Sequence, residues 1–118
     1  MPRPRREEMP VLYLSPLEED LLTLLSRREL YAIQIERALQ EATRRMRNFG
    51  SLYPTLRKLE KRGLLSARWG DEAPEERGGP RRRYYKTTGV GETARQAAIE
   101  RRRVLETGEG LTLAPEGG

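Results

Sequence analysis

The stretch that decides the fold is GSLYPTLRKLEKRGLL, residues 50–65. At about 100° per residue, three of its five leucines fall within one narrow stripe, formed by Leu52, Leu56 and Leu59. The opposite side of the stretch is polar and basic. Pro54 has to lie in the opening turns, where a missing N–H costs least. The pattern predicts a helix that buries its leucines and exposes its basic side chains.

Two further helices are predicted before this stretch. Ser15 is a favourable N-cap, and Glu18 three residues later completes a capping box. A first helix therefore begins at Pro16, which suits the first helical position, and ends near Ser26. A second helix is predicted from about residue 30 to residue 43, because its apolar residues recur on one helical face.

A β-hairpin and a last helix are predicted after the stretch. Residues 64–69 and 81–87 are strand candidates, and the loop between them is charged and rich in glycine and proline. Thr88 can cap a helix over residues 89–105. The element order is that of a winged helix-turn-helix. The sequence thus predicts a mainly α fold with a small β-hairpin: three helices, a two-stranded wing and a C-terminal dimerisation helix.

The length of 118 residues fits one domain with two short extensions. Residues 1–14 are predicted to be an N-terminal arm, and residues 106–118 a flexible tail. Residues 15–105 form the predicted DNA-binding domain, with the dimerisation helix at about 88–105. Because this helix has too thin an apolar face to stand alone, it is predicted to pack across a two-fold axis in a homodimer. Its predicted contact residues are Ala94, Ala97, Ala98, Val104 and Leu105.

Basic residues are concentrated where a winged helix meets DNA. The net charge is +5, and residues 44–63 contain seven basic side chains against one acidic side chain. A helix fits the major groove, and a wing can lie over the flanking backbone. The residues predicted to contact double-stranded DNA are Ser51, Tyr53, Pro54, Arg57, Lys58, Lys61, Arg81, Arg82 and Arg83. The alternative interpretation is that both basic clusters are merely solvated faces.

The composition argues against several other functions. The chain has no cysteine and no histidine, which removes thiolate chemistry and the commonest general base and metal ligand. No catalytic residue, cofactor or metal site is predicted, so an enzyme is the weaker hypothesis. There is no signal peptide and no run of about 18 apolar residues, which predicts a cytoplasmic, nucleoid-associated protein without a membrane partner. A winged-helix adaptor that binds protein instead of DNA is a second alternative.

Two motifs carry a resemblance to a known family. The stretch at residues 50–65 resembles the recognition-helix signature of PadR-like transcriptional regulators, and GPRRRYYKTT at residues 79–88 resembles their second wing strand. The resemblance covers roughly residues 15–105. It implies a homodimer that represses transcription at an inverted-repeat operator. It also implies a DNA-facing role for Tyr53, Arg57, Lys58, Arg81, Arg82 and Arg83.

The chain departs from the family pattern in two places. Tyr31-Ala32-Ile33 stands where the family often has His-Gly-Tyr. Several relatives bind flat aromatic drugs with a tryptophan between their dimer helices, but the predicted C-terminal helix has no aromatic residue. A small-molecule effector is therefore doubtful. The short C-terminal part resembles the compact branch of the family. The most specific hypothesis for the function of the chain is a role in circadian clock gene control.

Overall fold

The computed structural model describes residues 13–44, 49–73, 78–79 and 81–113. Most of the predicted N-terminal arm and the last five residues of the predicted tail lie outside these ranges. The described part has four α-helices and a three-stranded antiparallel sheet of order β1-β3-β2. In chain order the elements are α1 (Pro16–Leu24), β1 (Leu30–Tyr31), α2 (Ala32–Thr43), α3 (Leu52–Lys61), β2 (Leu65–Trp69), β3 (Arg83–Thr87) and α4 (Gly89–Thr107). The predicted winged-helix fold is confirmed.

The predicted capping box at the start of α1 is confirmed. The Glu18 backbone N–H donates to the Ser15 hydroxyl oxygen at 3.2 Å, and the Ser15 N–H donates to the Glu18 carboxylate at 2.7 Å. These two bonds satisfy backbone donors that a helix start otherwise leaves without partners. They also fix the Glu18 side chain in a position that bears on the candidate site described below.

The sheet has one strand more than the sequence predicted. The sequence predicts the start of the second helix at Leu30 and Tyr31, but these two residues form β1 and pair with Tyr85 and Tyr84 of β3. Tyr31 has extended backbone angles (φ −99°, ψ 167°), and α2 begins after it. A strand of two residues has no repeating pattern of its own, and it forms because β3 offers a free edge.

The core is built around the leucine stripe of α3. Leu52, Leu56 and Leu59 each have 0% of their surface exposed, as the sequence predicted. They pack in one cluster with residues of α1, α2 and the sheet, among them Leu21, Leu22, Leu25, Ile35, Leu39, Leu65 and Tyr85. Burial of this stripe leaves only the opposite side of α3 facing solvent.

α4 is joined tightly to the turn that follows α3. The Thr88 hydroxyl donates to the Gly63 carbonyl at 2.6 Å, and the Thr88 N–H donates to the Leu64 carbonyl at 3.1 Å. Gly91 is buried so close to the Leu64 carbonyl that a Cβ atom would collide with it. The helix then runs to Thr107, two residues beyond its predicted end, and Gly108 closes it in the left-handed conformation at φ 73°. Among the described residues, none of the helices combines the length and the hydropathy that a membrane span requires.

Replacement of Leu56 by alanine tests the assignment of the α3 faces. Because Leu56 is fully buried, the change should lower the free energy of unfolding by about 2–5 kcal/mol. Urea unfolding followed by circular dichroism measures the change. Ile33→Ala on α2 is the control, because Ile33 is 52% exposed, and we expect a change within about 0.5 kcal/mol. Equal stability of wild type and Leu56→Ala would contradict the assignment.

Candidate nucleic-acid interface

The exposed side of α3 gathers the predicted DNA-contact residues of this helix. Five of them are exposed on α3, and a sixth precedes it in a 3-10 turn at Phe49–Ser51; the six are Ser51, Tyr53, Pro54, Arg57, Lys58 and Lys61. Pro54 is the third residue of the helix, within the first turn, where backbone N–H groups have no partner inside the helix. The arrangement leaves a basic helix face open to solvent.

A buried carboxylate from α1 lies at one edge of this face, which we call the α1 edge. The Glu18 side chain is 5% exposed, and its Oε2 atom lies 3.3 Å from Lys58 Nζ and 3.8 Å from an Arg62 nitrogen. Apart from these two cations, the same Oε2 has no polar partner among the described residues. Burial alone would raise the pKa of Glu18, but hydrogen bonds from Ser15 and the nearby Lys58 ammonium outweigh it and lower the pKa. Glu18 is therefore an anion that draws two basic side chains towards α1.

A second carboxylate lies at the opposite edge, which we call the wing edge. Glu60 of α3 accepts a hydrogen bond from Arg83 of β3, with 2.6 Å between Oε2 and Nη2. About two thirds of each side chain is covered, since the exposed fractions are 30% and 35%. This charge-assisted contact ties the wing to the helix.

The centre of the α3 face carries positive charge without a neutralising neighbour. Arg57 and Lys61 are exposed, and none of the ion pairs among the described residues involves either side chain. Both edges of α3 are thus paired with carboxylates, while the centre is not. An anionic ligand that approaches this helix meets cations without carboxylate partners between the two edges.

The structure divides the three predicted wing arginines between the two faces of the hairpin. The guanidiniums of Arg81 and Arg83 lie over the Trp69 ring, at 5.5 and 5.2 Å from its centroid. Arg82 lies instead over the Tyr31 ring, at 4.7 Å. The division follows from the alternation of side chains along an extended strand. The three arginines therefore do not form the single surface cluster that their sequence suggested.

The sequence did not predict a cluster of side chains that lies on the outer face of the sheet. Arg68 forms three hydrogen bonds to the Glu29 carboxylate, at 3.0, 2.9 and 2.6 Å, and its guanidinium lies 5.0 Å from the Tyr84 ring centroid. Tyr84 meets Tyr31 edge to face at 5.5 Å and donates its hydroxyl hydrogen bond to Glu72, which raises the pKa of Tyr84. Strand alternation could have predicted that Arg68 and Tyr84 lie on the same face of the hairpin. The other two members could not be predicted in this way, because Tyr31 belongs to β1 and Glu29 precedes it. The cluster holds the base of the wing against the helical part.

The predicted dimerisation residues fall into two groups. Ala94, Ala98 and Val104 are buried inside the chain's own fold, with 7%, 1% and 5% of their surface exposed. They offer no surface to a partner, because an apolar helical face does not reveal whether it packs within a chain or between chains. Ala97 is half-buried, and Leu105 is 67% exposed. Leu105 is thus the member of the set that remains available.

The groups exposed on the α3 face are mainly hydrogen-bond donors. Within the described ranges, no three His, Cys, Asp or Glu side chains are grouped so that they could hold a metal ion. The α3 face offers guanidinium, ammonium, hydroxyl and phenol groups. These groups donate hydrogen bonds to phosphates and base edges.

Comparison with known proteins gives consistent matches. The family model described as the transcriptional regulator PadR-like family matches residues 21–97. A PadR-like transcription factor from Bacteroides fragilis is 36% identical, with a TM-score of 0.69 over 78% of this chain and 84% of that chain. A PadR family transcriptional regulator from Eggerthella lenta is 29% identical, with a TM-score of 0.65 over 80% and 78%. A Streptococcus transcriptional regulator is 26% identical, with a TM-score of 0.61 over 80% and 89%. Among curated proteins, none matches the chain significantly.

Glu18→Gln tests the buried carboxylate at the α1 edge. Glutamine can keep the capping box but carries no charge. Because the pKa of Glu18 is lower in the folded protein than in the unfolded chain, its ionised form stabilises the fold above the unfolded pKa. That contribution is lost as the pH falls from about 4.5 through the folded pKa. The free energy of unfolding should therefore decrease less between pH 6 and pH 3 in Glu18→Gln than in wild type.

Urea unfolding at a series of pH values measures this difference. Glu106→Gln is the control, because Glu106 is exposed on α4 and makes no ion pair with a described residue. We expect it to follow the wild-type pH dependence. Identical curves for Glu18→Gln and wild type would show that Glu18 does not act as an anion in the fold.

Proposed function

Because this chain belongs to the PadR-like family of transcriptional regulators, we propose that it regulates transcription by binding double-stranded DNA with α3 in a major groove. The observation that carries the proposal is the exposed centre of α3, where Arg57 and Lys61 stand without carboxylate neighbours among the described residues. A major groove is wide enough to admit an α-helix. The planar guanidinium of arginine matches the two acceptors of a guanine edge.

The roles of the α3 residues differ with their position on the helix. Arg57, at the centre of the exposed face, is proposed to read base edges. Lys61 lies one turn further along the same face and is proposed to contact phosphate. Lys58 and Tyr53 lie on either side of this centre. Lys58 would contact the DNA backbone while its ammonium stays near the Glu18 carboxylate. Phosphate contacts position the protein, and base contacts give sequence preference.

We further propose that the protein acts as a homodimer through the end of α4. Leu105 lies eleven and seven residues after Ala94 and Ala98, close to whole numbers of helical turns, so the three share one face. The first two are covered by the chain's own core, whereas Leu105 lies beyond it and is 67% exposed. A two-fold dimer would then place its two α3 helices in successive major grooves, about 10 bp apart.

An inverted-repeat operator and repression follow from the family as proposals. A two-fold protein favours a two-fold site, because each α3 then meets the same sequence. The hypothesis of a role in circadian clock gene control stays a prediction. Sequencing of the genomic fragments that the protein retains identifies the operator and the regulated genes.

Two α3 variants test the DNA-binding proposal. Duplexes recovered from retained genomic fragments serve as ligands, and fluorescence anisotropy measures affinity at several salt concentrations. Arg57→Ala should relax sequence preference by about 1–3 kcal/mol at one base position. Lys61→Ala should weaken binding to all duplexes alike and reduce the slope of log affinity against log salt by about 0.9.

Arg103→Ala is the control, because it removes the same charge from α4, where Arg103 is paired with Glu100 and Glu109. We expect it to bind like wild type. If the double variant Arg57→Ala with Lys61→Ala also binds like wild type, α3 is not the DNA-binding element. The adaptor hypothesis would then take the place of the DNA-binding proposal.

Leu105→Glu tests the homodimer. Wild type should sediment as a dimer at micromolar concentration, and the variant should dissociate at least about tenfold more readily, a change of about 1.4 kcal/mol. Sedimentation equilibrium gives both dissociation constants. Ile33→Glu is the matched control, because it places the same charge on an exposed apolar residue of α2. A monomeric wild type at these concentrations would overturn the dimer proposal.

A further inference from the structure

An exposed tryptophan lies at the end of the hairpin's core-facing side. Trp69 pairs with Arg83 across the two strands, and the preceding pair on this face, Ala67 and Tyr85, packs against the core. Trp69 lies past the edge of that core, and 46% of its surface is exposed. It is the single tryptophan of the sequence. A large aromatic side chain at such a place is available for a role other than packing.

Two guanidiniums lie over this ring, and they differ in their other contacts. Both are within the distance at which a cation is attracted to an aromatic face. Arg83 is also held by Glu60 of α3, at 2.6 Å. Arg81 is exposed and forms no ion pair with a carboxylate of the described residues. Arg83 therefore connects wing and helix, while Arg81 keeps its charge available.

The contact between the Arg81 guanidinium and the Trp69 ring is a cation–π attraction, which does not require a hydrogen bond from the guanidinium. The five N–H donors of a guanidinium lie in its own plane and are separate from the charge that the ring attracts. Phosphate oxygens are bound by those in-plane donors. A side chain that is already held loses less conformational freedom when it binds.

We propose that Trp69 is a positioning residue of the wing, which holds Arg81 for a contact with a phosphate of the DNA backbone. The proposal rests on the DNA-binding function proposed above. It assigns the wing's phosphate contact on this face to Arg81. Arg83 maintains the position of the wing relative to α3, and Arg82 lies on the opposite face against Tyr31.

A double-mutant cycle on the full chain tests the coupling of Trp69 and Arg81. With a retained genomic duplex as the probe, Arg81→Ala should lower affinity and reduce the salt slope by about 0.9. Trp69→Leu should lower affinity by about threefold to tenfold while the salt slope stays near the wild-type value, because the charge remains. In the Arg81→Ala background, Trp69→Leu should have little further effect. Trp69→Phe, which keeps an aromatic face, should restore most of the affinity.

The fluorescence of Trp69 gives a second readout that leaves the tryptophan in place. Since the chain has one tryptophan, a change in its emission on addition of the duplex reports on the wing alone. We expect a change with wild type and a smaller one with Arg81→Ala.

Two results overturn the inference. If wild type binds the duplex with unchanged emission, and Trp69→Leu binds with wild-type affinity, Trp69 has no role in binding, although the DNA-binding function stands. Additive effects of Trp69→Leu and Arg81→Ala would also overturn it, because the tryptophan would then act independently of the arginine. If wild type retains no genomic fragment at all, the proposed function itself fails.

Discussion

Three leucines of α3 have no exposed surface, and their burial determines the rotation of this helix about its own axis. A rotation of one residue position would bring a basic side chain into the core, where an unpaired charge is very costly. The hydrophobic effect, which has no directional preference of its own, thereby acts with the helical period to determine which side chains face solvent. The position of every functional group on α3 is a consequence of this packing.

The core determines which side chains of α3 face solvent, and carboxylates then determine which of the basic ones have an ion-pair partner. Glu18 holds Lys58 and Arg62 towards α1, and Glu60 holds Arg83 of the wing. The two acids lie at opposite edges of α3 and leave its centre unopposed. A uniformly basic helix would attract any polyanion, whereas a helix with carboxylates at its edges concentrates its unpaired positive charge in a narrow band. A narrow band of positive charge matches a ligand whose negatively charged surface is narrow better than one whose charged surface is broad.

Local features of the structure were predictable, and features that depend on distant residues were not. The leucine stripe of α3 and the Ser15 capping box are written in a few consecutive residues, and both are confirmed. β1 could not be predicted, because two residues become a strand only when β3 lies beside them.

The candidate site shows the same division between local and distant information. The basic face of α3 follows from helical periodicity, but the partners of its edges come from α1 and β3. The separation of Arg82 from Arg81 and Arg83 follows from strand alternation, but the aromatic ring that each guanidinium meets depends on β1 and β2. The burial of Ala94 and Ala98 depended on whether their partner was the same chain or another one.

The contact between Gly91 and the Leu64 carbonyl has a consequence beyond the stability of one chain. It sets the angle between α3, which faces the proposed ligand, and α4, through which the proposed partner would be held. In a dimer of this kind, the angle between α3 and α4 at Gly91 would determine how far each α3 lies from the two-fold axis. It would therefore determine the distance between the two half-sites. Sequence changes at this contact would alter the spacing of the operator that the protein prefers, while the bases read within each half-site would stay the same.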